Sequence, residues 1–132
     1  MLADLFLDTI PYNAHATACD TLSAGVPLVT CKGTTMAGRV AASVLQTAGV
    51  PELIAHSLEE YEQLALRLAR DSHALAAIRA KLTRSAETNP LFDVARFTRE
   101  LEAAFVTMWE RARQGLPAES FAVSAGAPLA AP

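Results

Sequence analysis

Two hydrophobic periodicities alternate along the first 55 residues, and nothing else in the chain limits its fold as strongly. "ADLFLD" at 3–8 is a short apolar run that ends in a proline-containing loop, "TIPYNAH" at 9–15, and it reads as a buried strand. "ATACDTLSA" at 16–24 is small and helix-compatible, with Gly25 placed to stop a helix. "VPLVTC" at 26–31 reads as a second strand. The loop around Gly33 and its two threonines leads into a helix predicted over 35–47, where Met36, Val40, Ala41, Val44 and Leu45 recur at helical spacing. Gly49 and Pro51 break it, and "ELIA" at 52–55 is a short strand or turn. Strand, helix, strand, helix and a third candidate strand predict an α/β fold whose strands are parallel and covered by helices.

From residue 57 the pattern becomes purely helical. Ser57-Leu58-Glu59-Glu60 has the form of a capping box, in which hydroxyl and carboxylate satisfy each other's free amides. It opens a helix to about residue 70, with Tyr61, Leu64, Ala65 and Leu68 inward. A second helix is predicted over 73–86 with Leu75, Ile78 and Leu82 inward, and "NPLFD" at 89–93 turns the chain. Asp93 is placed to cap a long helix over 94–114, which Gly115 ends. The expected organisation is an α/β segment at 1–56, a helical segment of the same domain at 57–115, and a disordered tail of Ala, Pro, Gly and Ser at 116–132. Two or three strands are few for a stand-alone doubly wound sheet, so the segment reads as a partial Rossmann-like unit.

Bulk properties exclude several classes. Hydrophobic residues make up 52% of the 132, enough for a folded core. The net charge is −3 and the eleven basic residues are scattered, which argues against nucleic acid as a partner. No apolar run reaches membrane-spanning length, and the acidic start is unlike a signal peptide, so a cytoplasmic setting without membrane contact is expected. Cys19 and Cys31 form neither a zinc pattern nor a disulfide framework, so no metal is implied.

The chemistry is concentrated at 13–20. In an open α/β sheet, ligands bind beyond the carboxyl ends of the strands, where the 9–15 loop would lie. A helix beginning at about residue 16 offers free N–H groups and the positive end of its dipole to a phosphate. Ala14, Ala16 and Ala18 are small enough for an anion to approach the backbone, His15 and Thr17 add donors, and Asp20 lies on the same helical face as Thr17. A carboxylate one turn past a phosphate is placed to meet ribose hydroxyls. The same residue types also fit a plain helix start, with Asn13 or Thr17 as cap and Asp20 solvated near the dipole.

The longer string "LDTIPYNAHATACDTLSAGVPLVTCKGTTMAGRVAASVL" resembles the carboxy-terminal catalytic region of the protein O-GlcNAc transferases. The likeness rests on "LDT" at 7–9, "NAHAT" at 13–17, Asp20, "AGVPLVT" at 24–30 and "RVAAS" at 39–43. It continues in order through "ELIA", "EEYEQLA", "IRAKL", "NPLFD" and "MWERARQG", over residues 3 to 115. The resemblance implies a piece of a GT-B fold from an inverting glycosyltransferase whose donor is UDP-N-acetylglucosamine and whose acceptors are protein Ser/Thr hydroxyls. It implies that His15, Ala16 and Thr17 approach the diphosphate and that Asp20 meets the ribose. Ala16 stands where the family has a threonine; one lost neutral hydroxyl contact costs roughly 0.5–1.5 kcal/mol of binding. Lys32 stands where better-known members have proline. A plant-type branch has glutamate at the position of Asp20, so Asp20 points to UDP over GDP.

The family's acceptor-binding repeats, its amino-terminal Rossmann-like half and the residues usually proposed for catalysis have no counterpart in this sequence. The expectation is therefore a UDP-sugar half-site with no catalytic residue of its own, protein acceptors reached through other domains, and little or no activity in isolation. Uncovered sheet edges and apolar faces are expected to favour self-association. A non-catalytic binding module derived from the fold, or another GT-B enzyme such as a fucosyltransferase or epimerase, is the alternative.

Overall fold

A computed structural model of the chain describes residues 3–85 and 88–123. It divides into two compact units, residues 1–92 and 93–132. The first contains β1 (Phe6–Leu7), α1 (Ala16–Ser23), β2 (Leu28–Cys31), α2 (Val40–Thr47), β3 (Ile54–Ala55), α3 (Leu58–Arg70) and α4 (Ser72–Ser85). The second contains α5 (Val94–Arg113).

The strands form one parallel sheet in the order β1-β2-β3. Phe6 pairs with Leu28 and Leu7 with Val29, while Thr30 pairs with Ile54 and Cys31 with Ala55. This is the partial Rossmann-like α/β fold expected from the alternation. The central strand is buried: Leu28, Val29 and Thr30 are all at 0% exposure, as a strand covered on both faces requires. Around it pack Ala18 and Leu22 of α1, Ala41 and Leu45 of α2, and Leu64 and Leu68 of α3. Val50, Leu53 and Leu82 complete the core. The helical region therefore splits: α3 packs on β2, β3 and α4 within the first unit, and the division falls at Phe92.

The ends of the elements follow local chemistry. After α1 the chain turns through Gly25 at φ +72°, with Gly25 N–H donating to Leu22 carbonyl and Val26 N–H to Thr21 carbonyl. That double closure of the last turn needs a left-handed residue, which glycine supplies without a Cβ penalty. The helix expected over 35–47 starts instead at Val40. Gly33 N–H donates to Gly38 carbonyl, Gly38 N–H to Thr35 Oγ1 and Arg39 N–H to Met36 carbonyl. Residues 33–39 thus close as a turn on their own donors, and Met36 stands 76% exposed. At α3 the Ser57 hydroxyl accepts from Glu60 N–H, but the Glu60 carboxylate reaches back to His56 N–H at 2.8 Å, one residue before the amide a capping box would use. The first unit ends where buried Asn89 donates to the Ala48 carbonyl at the end of α2.

In the second unit Asp93 Oδ1 accepts from Arg96 N–H, the cap expected there. Arg111 near the end of α5 pairs with Glu119 and donates to the Pro117 carbonyl, so residues 116–121 fold against the helix. The tail expected from residue 116 takes no helix or strand as far as 123, and its remainder lies outside the described residues.

Candidate functional site

Because the strands are parallel, the loops after β1 and β2 leave the same edge of the sheet, the one beyond their carboxyl ends. The first of these loops is built around Asp8. Its backbone continues the ladder, donating to Val29 carbonyl, while its side chain turns into the protein at 5% exposure. Oδ2 accepts from Thr30 Oγ1 at 2.6 Å, and Oδ1 accepts from Thr9 N–H at 2.8 Å and Ala14 N–H at 2.7 Å. One buried carboxylate thereby replaces the strand partners the chain loses as it leaves the sheet, and fixes both ends of the loop. Tyr61 on α3 donates its phenol to the Asp8 carbonyl at 2.9 Å. Burial raises the Tyr61 phenol above its ordinary value, and the negative charges of Asp8 and Cys31 add to that.

The second loop meets the first through backbone. Asn13 N–H donates to the Ala37 carbonyl, and a Cβ at Gly38 would stand 3.0 Å from the Pro11 carbonyl oxygen. A side chain at 38 would crowd this approach, and glycine leaves it open. Asn13 is 1% exposed; its Nδ2 donates to Thr9 carbonyl, while its Oδ1 has no partner among the described residues. Asn13 is thus turned inward and is not the cap that its residue type allows.

α1 starts at this junction. His15 occupies its N-cap position and supplies no side-chain bond to the helix. The His15 carbonyl accepts from Ala18 and Cys19 N–H, so the N–H groups of Ala16 and Thr17 are left without an acceptor among the described residues. Ala16, Thr17 and Asp20 are exposed, whereas Ala18 and Leu22 face the core. The Thr17 hydroxyl does not cap its own helix either. The imidazole of His15 stacks on Tyr12, with centroids 4.8 Å apart and planes 18° from parallel, and its Nε2 lies 3.4 Å from the Ala37 carbonyl oxygen. An uncapped N-terminus with its dipole, small side chains, one hydroxyl and a carboxylate one turn on can hold an anion and a neighbouring polyol.

Other candidates take smaller parts. Lys32 donates its backbone N–H to Ala55 carbonyl and leaves its side chain exposed. Arg39 folds back onto its own loop, donating to Thr34 carbonyl at 3.0 Å. Cys19 and Cys31 are free thiols. Burial raises both, helped by Asp20 beside Cys19 and by Glu60 beside Cys31. No group of three or more His, Cys, Asp or Glu side chains that could hold a metal ion occurs among the described residues, and no described helix is long and apolar enough to cross a membrane.

Residues 1–101 match the sequence model of glycosyl transferase family 41. The chain belongs to this family. It is 41% identical over 116 residues to a Caenorhabditis elegans UDP-N-acetylglucosamine--peptide N-acetylglucosaminyltransferase, covering 88% of this chain and 10% of that protein. It is also 41% identical over 110 residues to a Petunia hybrida protein named as a probable enzyme of the same kind, SPINDLY, covering 83% and 12%. A solved structure of a Thermobaculum terrenum O-GlcNAc transferase mutant aligns with a TM-score of 0.80 and 43% identity, over 85% of this chain and 22% of that one. The chain thus spans about a tenth of the length of the curated relatives it matches, and its sheet and covering helices are a segment of the family's GT-B fold.

Within this family 41 segment, sequence reasoning singled out the residues that could touch a ligand and passed over those that hold them. Asp8 was visible only as part of "LDT". Its signal was an acidic residue ending an apolar strand with no basic residue near it in sequence, which predicts a carboxylate satisfied by hydroxyl and backbone donors. Tyr12 and Gly38 gave no such signal, because the contact of each depends on a loop brought in by the fold.

Proposed function

We propose that this chain contributes the diphosphate and ribose half-site of a UDP-N-acetylglucosamine-dependent transferase that modifies protein Ser/Thr hydroxyls. The observation that carries the reading is the uncapped start of α1 at the carboxyl edge of the sheet, with Thr17 and Asp20 exposed along its first turns. The names of the relatives support the donor and acceptor classes. In this reading the N–H groups of Ala16 and Thr17, the Thr17 hydroxyl and His15 receive the diphosphate, and Asp20 accepts from the ribose hydroxyls. As the bond from the sugar to UDP breaks, negative charge grows on the departing phosphate oxygen. Fixed donors already aimed at it lower the barrier, because they need not reorganise. The nucleophile's activation and the acceptor site fall to segments outside this chain, so the chain alone transfers no sugar. Free thiols at Cys19 and Cys31 fit a reducing, cytoplasmic setting.

Calorimetric titration tests the half-site directly. UDP binds more tightly than GDP, and His15→Ala and Asp20→Ala each weaken UDP at unchanged thermal stability. Equal affinity for the two nucleotides, or variants that bind like the parent, would remove the reading.

A further inference from the structure

Tyr61 makes a contact that core packing does not explain. It stands at the end of the first turn of α3, whose start the Ser57 hydroxyl and the Glu60 carboxylate fix. Its ring is half-buried against the core, a task that a phenylalanine ring performs as well. The hydroxyl instead crosses 53 positions of sequence to donate to the Asp8 carbonyl at 2.9 Å. Asp8 is the first residue past β1 and the one on which the loop before α1 is built. Its N–H donates to the Val29 carbonyl, and its carboxylate accepts from the hydroxyl of Thr30 on the central strand. Backbone N–H, backbone carbonyl and side chain of Asp8 are thus all fixed, from β2 and from α3 together. The carboxylate passes that fixed position on to Ala14 N–H at 2.7 Å, two residues before α1 begins at Ala16. A helix start without a side-chain cap takes its direction from what holds the chain just before it.

We infer that Tyr61 is a positioning residue of the nucleotide half-site, acting through Asp8 to hold the start of α1 in the orientation that receives the diphosphate. This rests on the half-site reading above and extends it to a side chain of α3. Without the phenol hydroxyl, the Asp8 carbonyl loses its tie to α3, and the loop spends part of its time out of place. A site that is formed for only part of the time binds more weakly in proportion. In Tyr61→Phe the ring keeps its place against the core, so the loss falls on affinity rather than on the fold. A tyrosine that served packing alone would leave affinity unchanged when its hydroxyl is removed.

The probe is UDP, titrated calorimetrically into the chain well below its unfolding temperature, so that global stability does not enter. Affinity falls about threefold to tenfold in Tyr61→Phe, the size expected for one hydrogen bond, and further in Asp8→Ala. The double variant Tyr61→Phe/Asp8→Ala binds no more weakly than Asp8→Ala, because the two residues act as one unit. Asp8→Asn recovers part of the Asp8→Ala loss: its amide oxygen still accepts from Ala14 N–H while its NH2 meets the Thr30 hydroxyl. Tyr61→Phe keeps the ring and decides the matter even where Asp8→Ala does not fold. A folded Tyr61→Phe chain that binds UDP as the parent does overturns the inference; if Asp20→Ala still weakens binding, the half-site reading stands alone. Additive losses in the double variant also overturn it, since Tyr61 would then act by a route other than Asp8. A folded parent chain that binds no UDP removes both readings.

Discussion

The helices of this chain begin in two different ways. α3, α4 and α5 each start on a side-chain cap: Ser57 Oγ to Glu60 N–H, Asp71 Oδ1 to His73 and Ala74 N–H, and Asp93 Oδ1 to Arg96 N–H. α1 and α2, which follow β1 and β2, start at His15 and Arg39 with no side-chain cap at all. A missing cap forgoes about 1 kcal/mol per helix, and here it is offset from behind. Asp8 ties the loop before α1 to Thr30 and to the backbone at Thr9 and Ala14, and Gly38 lets the two loops meet. The difference teaches that local rules cap a helix where nothing else is required of it. The two starts at the carboxyl edge of the sheet have no side-chain cap, and tertiary contacts hold the backbone instead.

The comparison breaks most readily at its supports. Asp8→Ala strands a buried threonine hydroxyl and two loop amides, and should cost about 3 kcal/mol in urea unfolding; a cost near zero would mean that the loop is held by something else. Gly38→Ala places a methyl 3.0 Å from the Pro11 carbonyl oxygen, and is expected to lose about 1–3 kcal/mol through displacement of the loops. The caps give the sharpest contrast. Ser57→Ala and Asp93→Ala should each cost about 1 kcal/mol, whereas Thr17→Ala should stay within about 0.5 kcal/mol of the parent. A Thr17 substitution as costly as Ser57→Ala would show that α1 is capped in solution.

The smallest expected effect is at alkaline pH. The folded-state values of Tyr61, Cys31 and Cys19 all lie above their ordinary values of 10.0 for the phenol and 9.0 for the thiols. The native state therefore holds these protons more tightly. Their contribution to stability is complete below about pH 9 and is lost as pH rises through the raised values. Denaturation melts across this range should show falling stability, and Tyr61→Phe should make the fall shallower.

Much of this was legible in the sequence, for identifiable reasons. The run VPLVTC reads as a strand, and Ser57 and Asp93 announce their helices, because each signal is completed within a few residues. Periodicity alone starts α2 at 35, five residues before its first helical residue, Val40. Met36 sits at helical spacing with Val40, but Thr35, Gly33 and Gly38 consume their hydrogen-bonding groups in a turn that periodicity does not register. At the candidate site, the residue types His15, Ala16, Thr17 and Asp20 stand together in sequence and can be weighed as a group. Their supports come from elsewhere: Thr30 lies 22 positions from Asp8 and Tyr61 lies 53 from it, and neither pairing leaves a mark on the local pattern.

The central claim is that nucleotide is received at the open start of α1. Its most direct test is a backbone amide chemical-shift map of the isotope-labelled chain titrated with UDP. The account predicts saturable shifts at 14–20 and in the facing loop at 33–39, with the amides of Ala16 and Thr17 moving most. Saturable shifts centred on α3 and α4, with 14–20 unmoved, would contradict it.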